Sequence, residues 1–169
     1  MDIVFETERL IVRKYTDADE ENFYRLNSDP EVVRYIREPK SREECRRFLN
    51  ENITFYQQQP LMGRWALMQK QPELFIGSFA IIPVEKSADI QLGYALLKEY
   101  WGQGYATEIT RAGLIYAKDV MKLDSIVGIT EAPNIASQKV LLNCGFELDE
   151  TKVEKGKEIL CYVKRLVDN

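Results

Sequence analysis

Nine residues, Tyr100 to Glu108, concentrate groups that could do chemistry: YWGQGYATE holds two glycines, two tyrosines and a tryptophan. An apolar run, DIQLGYALL (Asp89 to Leu97), precedes them, and a helical pattern, EITRAGLIYAKDV (Glu108 to Val120), follows. Glycine at such an elbow costs backbone entropy on folding, so bare backbone must have a use there. A strand that enters a glycine loop and then a helix offers an anion site. The first turn of the helix has unpaired N–H groups and the positive end of the helix dipole. Gly102 and Gly104 would admit phosphate oxygens to the backbone with no Cβ in the way. The elbow therefore reads as a cradle for a phosphate or pyrophosphate. The same glycines also read as a plain turn, and spacing alone does not separate the two. A P-loop needs GxxxxGK[ST], and a dinucleotide fingerprint needs GxGxxG with an acidic residue roughly 20 positions later. GQGYAT satisfies neither.

Composition removes other chemistries. The 169 residues contain no histidine, and the three cysteines, Cys45, Cys144 and Cys161, form no CxxC. A zinc site of the usual Cys/His kind is not expected, and histidine-based triads are excluded. No metal is expected. With 27 acidic against 23 basic residues the formal net charge is −4, which argues against nucleic-acid binding. The opening MDIVFETERL has charges from residue 2 and no apolar run, so no secretory leader is expected. No stretch approaches a membrane span. Three thiols suit a reducing cytoplasm, the expected location.

The elements that must position the elbow follow from period and capping. RLIVRKY (Arg9 to Tyr15) alternates as a strand, and TDADEENFYRLN opens a helix with Thr16 and Asp19. DPEVVRYI predicts another helix, with Asp29 as cap and Pro30 in the first turn. SREECRRFLNENITFYQQQ predicts a third, with a Ser41–Glu44 capping box and Cys45, Phe48, Leu49, Asn52 and Tyr56 at helical spacing. RWALMQK and ELFIGSFAII read as strands joined around Gln71-Pro72, and DIQLGYALL as the next strand. A helix over about 105–120 follows, then the strand DSIVGIT and a helix from Asn134 to a C′ glycine, Gly145. FELDETKV, the turn EKGK and EILCYVKRLV close the chain as two antiparallel strands. This order predicts one domain, 1–169, of mixed α/β class with helices on both faces of the sheet.

YWGQGYATE followed by NIASQKVLLNCGFE resembles the two cofactor motifs of the GNAT superfamily of acetyl-CoA-dependent N-acetyltransferases. The opening ETERLIVRKYTDAD with NSDPEVVRYI is similar to the RimJ/RimL branch, the ribosomal-protein alanine acetyltransferases. The resemblance spans nearly the whole chain. It implies a mostly antiparallel, twisted sheet of about seven strands with a splayed central pair. The expected function is transfer of an acetyl group to a primary amine by direct attack in a ternary complex. The partners are acetyl-CoA and an amine acceptor, either a protein N-terminus or a polyamine-like small molecule. A homodimer is an open option.

The resemblance also assigns roles. Trp101 stands where the family loop begins with a polar residue, and Gly102, Gln103, Gly104, Tyr105, Ala106 and Thr107 would hold the pyrophosphate by backbone N–H groups. Gln103 occupies a position that is often basic. Ala95, Leu96 and Leu97 would pair with the pantetheine arm, and one N–H near Ala95 or Leu96 would polarise the thioester carbonyl. Asn134 would contact the pantetheine; as a residue alone it is an ordinary helix N-cap. Ser137 would protonate the leaving thiolate; alone it is a serine bonding back into its helix. Leu141 stands where many relatives have an acidic tyrosine, and Gln91 where many have a glutamate base. Asp89, two residues before Gln91, or Glu131 would serve as base. Cys144 beside Gly145 reads as structural. The rival function is a non-catalytic acyl-CoA-binding sensor or interaction module. A domain holding another diphosphate is a further rival.

Overall fold

A computed structural model describes residues 1–168 in two compact units. The first comprises Met1–Ala80 with Tyr94–Tyr105, and the second Ile81–Gly93 with residues from 106 onward. In chain order the elements are β1 (Ile3–Glu6), β2 (Leu10–Arg13), α1 (Glu20–Asn27), α2 (Arg42–Gln58), β3 (Gly63–Gln69), β4 (Leu74–Pro83) and β5 (Ile90–Leu96). Then come α3 (Tyr105–Asp119), β6 (Ser125–Glu131), α4 (Ile135–Asn143), β7 (Glu147–Glu154) and β8 (Lys157–Arg165). The strands hydrogen-bond in the order β1-β2-β3-β4-β5-β6-β8-β7. β1–β2, β2–β3, β6–β8 and β7–β8 are antiparallel, and β5–β6 is parallel. The class is the mixed α/β fold expected.

Two local expectations need correction. The strand count is eight rather than seven, because β1 (IVFE) also pairs with β2. Four residues are too few to display a period beside the acidic positions around them. DPEVVRYI does not form a helix. Its bonds run Val33 N–H to Asp29 O and Ile36 N–H to Val33 O, and the segment stays a series of turns. Adjacent Val32 and Val33, both buried, are stiff β-branched residues that lower helix propensity.

In the first unit, β3 buries Trp65, Ala66, Leu67 and Met68 in succession, because it lies inside the sheet. α2 begins at the expected capping box, where Ser41 accepts from Glu44 N–H and Glu44 from Ser41 N–H. It buries Cys45, Leu49, Asn52 and Tyr56. The Tyr56 hydroxyl donates to the Arg64 carbonyl and accepts from Tyr15 N–H at 3.1 Å.

Asp19 joins β2 to the start of α1. Its carboxylate accepts two bonds from the Arg13 guanidinium, at 2.7 and 2.8 Å, and one from Thr16 N–H at 2.8 Å. Burial pushes the carboxyl up, but the bonds from Arg13 and Thr16 outweigh it and hold it below the usual carboxylate range. A depressed carboxylate stabilises the fold above its unfolded value. That contribution fades as pH falls through the folded value. Asp19→Asn leaves Arg13 half-buried without its counter-charge, so a loss of about 3 kcal/mol is expected at pH 7. Urea midpoints of the two proteins should differ at pH 7, and the gap should narrow as the pH is lowered below the ordinary carboxylate range. Equal midpoints at pH 7 would refute the assignment.

In the second unit, β6 alternates, with Ile126, Gly128 and Thr130 inward. A Cβ on Gly128 would lie 2.5 Å from a Leu141 methyl, so glycine is what lets α4 seat on β6. β5 and β6 run parallel and share the register pair Gln91–Val127. α4 starts at its N-cap Asn134, whose side chain accepts from Ser137 N–H at 3.2 Å, and Gly145 follows its C-cap as expected.

Candidate functional site

The glycine elbow is built from short-range bonds. Leu97 N–H donates to Ile76 O at 2.9 Å, and Tyr100 N–H to Leu97 O at 2.9 Å. Both backbone groups of Leu97 are thus engaged within the protein, the carbonyl through one of its two lone pairs. The Trp101 indole N–H donates to Leu96 O at 2.8 Å, tying the loop to the end of β5. The Trp101 ring remains exposed.

Gly102 and Gly104 have φ of +72° and +83°, the left-handed region that side chains rarely adopt. Both are exposed, and a Cβ on Gly102 would meet nothing within 4 Å. No protein atom stands where a side chain on Gly102 would begin. α3 begins directly after them, so the N–H groups of Tyr105, Ala106 and Thr107 have no acceptor in the helix. Such a cradle fits a pyrophosphate. Here the backbone takes a form that glycine alone adopts readily, twice, at a helix start. That favours the cradle over a turn that any polar residues could make.

Gln103, in the position expected to be basic, is exposed but tied to its own loop. Its side chain donates back to Glu99 O at 2.9 Å. Arg9, 94 residues away in sequence, reaches the loop instead. Its guanidinium donates to Gln103 O at 3.0 Å and lies 4.3 Å from the centre of the Tyr105 ring. The Tyr105 hydroxyl donates to Gln69 Oε1 at 3.3 Å. No spacing rule links Arg9 to the loop, so sequence reading missed it.

Gly77 is the other residue missed. It sits inside β4, and a Cβ there would lie 2.1 Å from Ala95 O and 3.0 Å from Leu96 Cα. The backbone of β5 approaches β4 here more closely than any side chain permits. An isolated glycine inside a strand pattern is the signal that could have found it.

In the second unit, Glu131, Asn134 and Ser137 come together where β6 hands over to α4. Asn134 N–H donates to Glu131 O at 2.9 Å, and Asn134 holds Ser137 N–H. Asn134 is thus the N-cap expected, and its amide NH₂ donates to no acceptor among the described residues. The Ser137 hydroxyl makes no bond back into its helix among the described residues, which favours the functional reading. Glu131 is half-buried, with Lys157 Nζ at 3.6 Å.

Asp89 lies apart from this group. It precedes β5 rather than lying on it, and Ser87 Oγ donates to its carboxylate at 3.0 Å. It borders a small cavity with Asp124 and Ser125, at the start of β6. Glu131 is at the other end of that strand, roughly 20 Å away at 3.3 Å per residue. One amine cannot use both. Leu141 is buried against Gly128, so the position that holds a tyrosine in relatives is core here. Cys144 Sγ lies 3.9 Å from Thr107 O, and burial pushes its thiol up, away from the reactive thiolate.

A family profile described as "Acetyltransferase (GNAT) domain" matches residues 9–147. The chain is 28% identical over 147 residues to the uncharacterized N-acetyltransferase YoaA of Bacillus subtilis, covering 85% of this chain and 82% of that one. Its fold is similar to spermidine N-acetyltransferase from Vibrio cholerae in complex with CoA and spermine, with a TM-score of 0.81 and 18% identity. That match covers 95% of this chain and 97% of the other. It is also similar to RimL, a ribosomal L7/L12 α-N-protein acetyltransferase in complex with coenzyme A. There the TM-score is 0.80 at 18% identity, over 97% and 98% of the two chains.

Proposed function

Because the chain belongs to the GNAT acetyltransferase family, we propose that it moves an acetyl group from acetyl-CoA to a primary amine by direct attack in a ternary complex. The observation that carries this reading is the pair of left-handed glycines opening α3. Acetyl-CoA supplies the acetyl group as a thioester. The N–H groups of Gly102 to Thr107 hold the pyrophosphate, and Arg9 fixes the loop by its bond to Gln103 O. Backbone groups of Ala95 and Leu96 receive the pantetheine arm and polarise the carbonyl. The Asn134 amide donates to the same arm. Ser137 gives its proton to the departing sulfur and recovers one, directly or through water, from the attacking nitrogen, which sheds it on becoming the amide. Glu131, rather than Asp89, takes the proton from the incoming ammonium, directly or through water.

The opening ETERLIVRKYTDAD supports the RimJ/RimL-like branch and so a protein N-terminal amine as acceptor. The whole chain acts as one catalytic domain, and its three free thiols fit the cytoplasm.

Thiol release from acetyl-CoA, with a panel of short peptides, tests turnover. Ser137→Ala should lower kcat about 100-fold and change acetyl-CoA affinity by less than about threefold. An unchanged kcat would remove Ser137 from the chemistry. Tight acetyl-CoA binding with no thiol release for any amine would favour a sensor instead.

A further inference from the structure

We infer that Arg37 and Arg64, set around the Phe48 ring, form an anion subsite that takes a carboxylate of the amine acceptor, an inference that rests on the acetyltransferase reading. The three residues come from three elements of the first unit. Phe48 is on α2, Arg64 on β3, and Arg37 in the turns before α2. The guanidinium carbons of Arg37 and Arg64 each lie 5.1 Å from the centre of the Phe48 ring, and Lys40 Nζ lies 5.0 Å from it. Three cations thus share one phenyl group.

Neither arginine has a carboxylate within ion-pair distance among the described residues. Four of the more exposed arginines do have one. Arg25 pairs with Glu99, Arg42 with Glu21, Arg46 with Glu20 and Arg47 with Glu43. The chain carries more acidic than basic residues, so carboxylates are not scarce. Yet these two half-buried guanidiniums share one ring without one.

The surroundings make this arrangement costly. Burial pushes Arg37 down to about 10, and the charge of Arg64 pushes it further the same way. Burial likewise pushes Arg64 down. A phenyl face attracts a cation but does not neutralise it. Arg37 makes one bond, Nη1 to Asn27 Oδ1 at 2.7 Å. Arg64 donates from its side chain to no acceptor among the described residues. Guanidinium has five N–H donors in a planar fork, matched to the two oxygens of a carboxylate or to a phosphate. Two forks with open donors, held in place by a ring, suit an anion that arrives from outside.

Position argues for the acceptor as its source. Ser78 Oγ donates to Trp65 O at 3.0 Å, joining β4 to β3 one residue from Arg64. Gly77, next to Ser78, lies against Ala95 on β5. The backbone of Arg64 is therefore two strands from that of Ala95, roughly 10 Å at 4.8 Å per strand, with the arginine side chain adding its own reach. An extended tripeptide spans roughly 10 Å from its amine to its C-terminal carboxylate. Its amine could reach a thioester beside Ala95 while its carboxylate sits on the arginines. A polyamine would bring further cations to a site already holding three, so this chain should discriminate against spermine.

The test is calorimetric titration of the CoA-loaded protein with the tripeptide Ala-Ala-Ala, its C-terminal amide, spermine and inorganic phosphate. The acid should bind at least about tenfold more tightly than the amide, and spermine more weakly than either. In Arg64→Met and in Arg37→Met the gap between acid and amide should close. Thermal stabilisation by acetyl-CoA, retained in both variants, confirms that they are folded. Equal affinity for acid and amide, no binding of either, or a gap that survives both substitutions would overturn the inference. Phosphate binding without a preference for the acid would assign the arginines to a phosphoryl group and overturn the carboxylate. Failure of the acetyltransferase reading is separately visible, as absence of any acetyl-CoA stabilisation in the unsubstituted protein.

Discussion

Gly104→Val should weaken acetyl-CoA binding by about 100-fold or more and leave the protein folded. Gly104 holds φ at +83°, where a β-branched residue is a genuine outlier. A left-handed conformation costs a non-glycine residue about 1–2 kcal/mol, so the loop would relax to another path. Relaxation redirects the N–H groups assigned to the pyrophosphate. Each charge-assisted bond to the pyrophosphate contributes about 1.5–3 kcal/mol, so loss of two accounts for the expected fall. The residue is exposed, and its nearest neighbour is the end of the Arg9 side chain, 3.4 Å from where a Cβ would stand. The fold has little to lose there. Isothermal titration with acetyl-CoA and a melting curve separate the two effects. Retained affinity in a folded variant would remove the loop from the account.

Gly77→Ala should damage both stability and affinity. A single methyl group would stand 2.1 Å from Ala95 O, 3.0 Å from Leu96 Cα and 3.1 Å from Ala95 C, all backbone atoms. None of these yields as a side chain would. β5 must move off β4, and the Leu97 N–H to Ile76 O bond beside it is strained with it. Overpacking of this kind costs about 1–3 kcal/mol. The lost bond adds about 1 kcal/mol. The urea midpoint should fall accordingly, and acetyl-CoA affinity should fall with it, because Ala95 and Leu96 move. A variant as stable as the parent would mean that the close approach is not maintained in solution. A destabilised variant with full affinity would separate β5 from acetyl-CoA binding.

How legible the site was depends on the range of the interactions that make it. The elbow, the acidic helix start at Thr16–Asp19, the Ser41–Glu44 capping box and the Asn134 cap are set by residues three to five apart, and the sequence displays them. Asn134 and Ser137 share one helix turn, so their proximity follows from helical period. β1 was missed because four residues show no period. The helix expected over DPEVVRYI was wrong because a good N-terminal signal was outweighed by the burial of two valines. Arg9, Gly77 and the Arg37–Arg64 pair were invisible for another reason. Each depends on a strand or loop neighbour brought close by the sheet, and no local pattern marks them. Asp89 and Glu131 looked equivalent in sequence because each is a carboxylate near a strand end. Only the direction of β6 shows that they are at opposite ends.

The central claim is that the elbow binds acetyl-CoA, and the most direct measurement is the melting temperature with acetyl-CoA, CoA, NADH and ATP at equal concentration. A ligand at about 100 times its dissociation constant adds roughly 2.7 kcal/mol of stability. For a chain of this size that corresponds to about 5–10 °C. A shift of that order with acetyl-CoA and CoA, and none with NADH or ATP, is the predicted result. No shift with either CoA compound, or an equal shift with ATP or NADH, would contradict the assignment of the loop and of every residue placed around it.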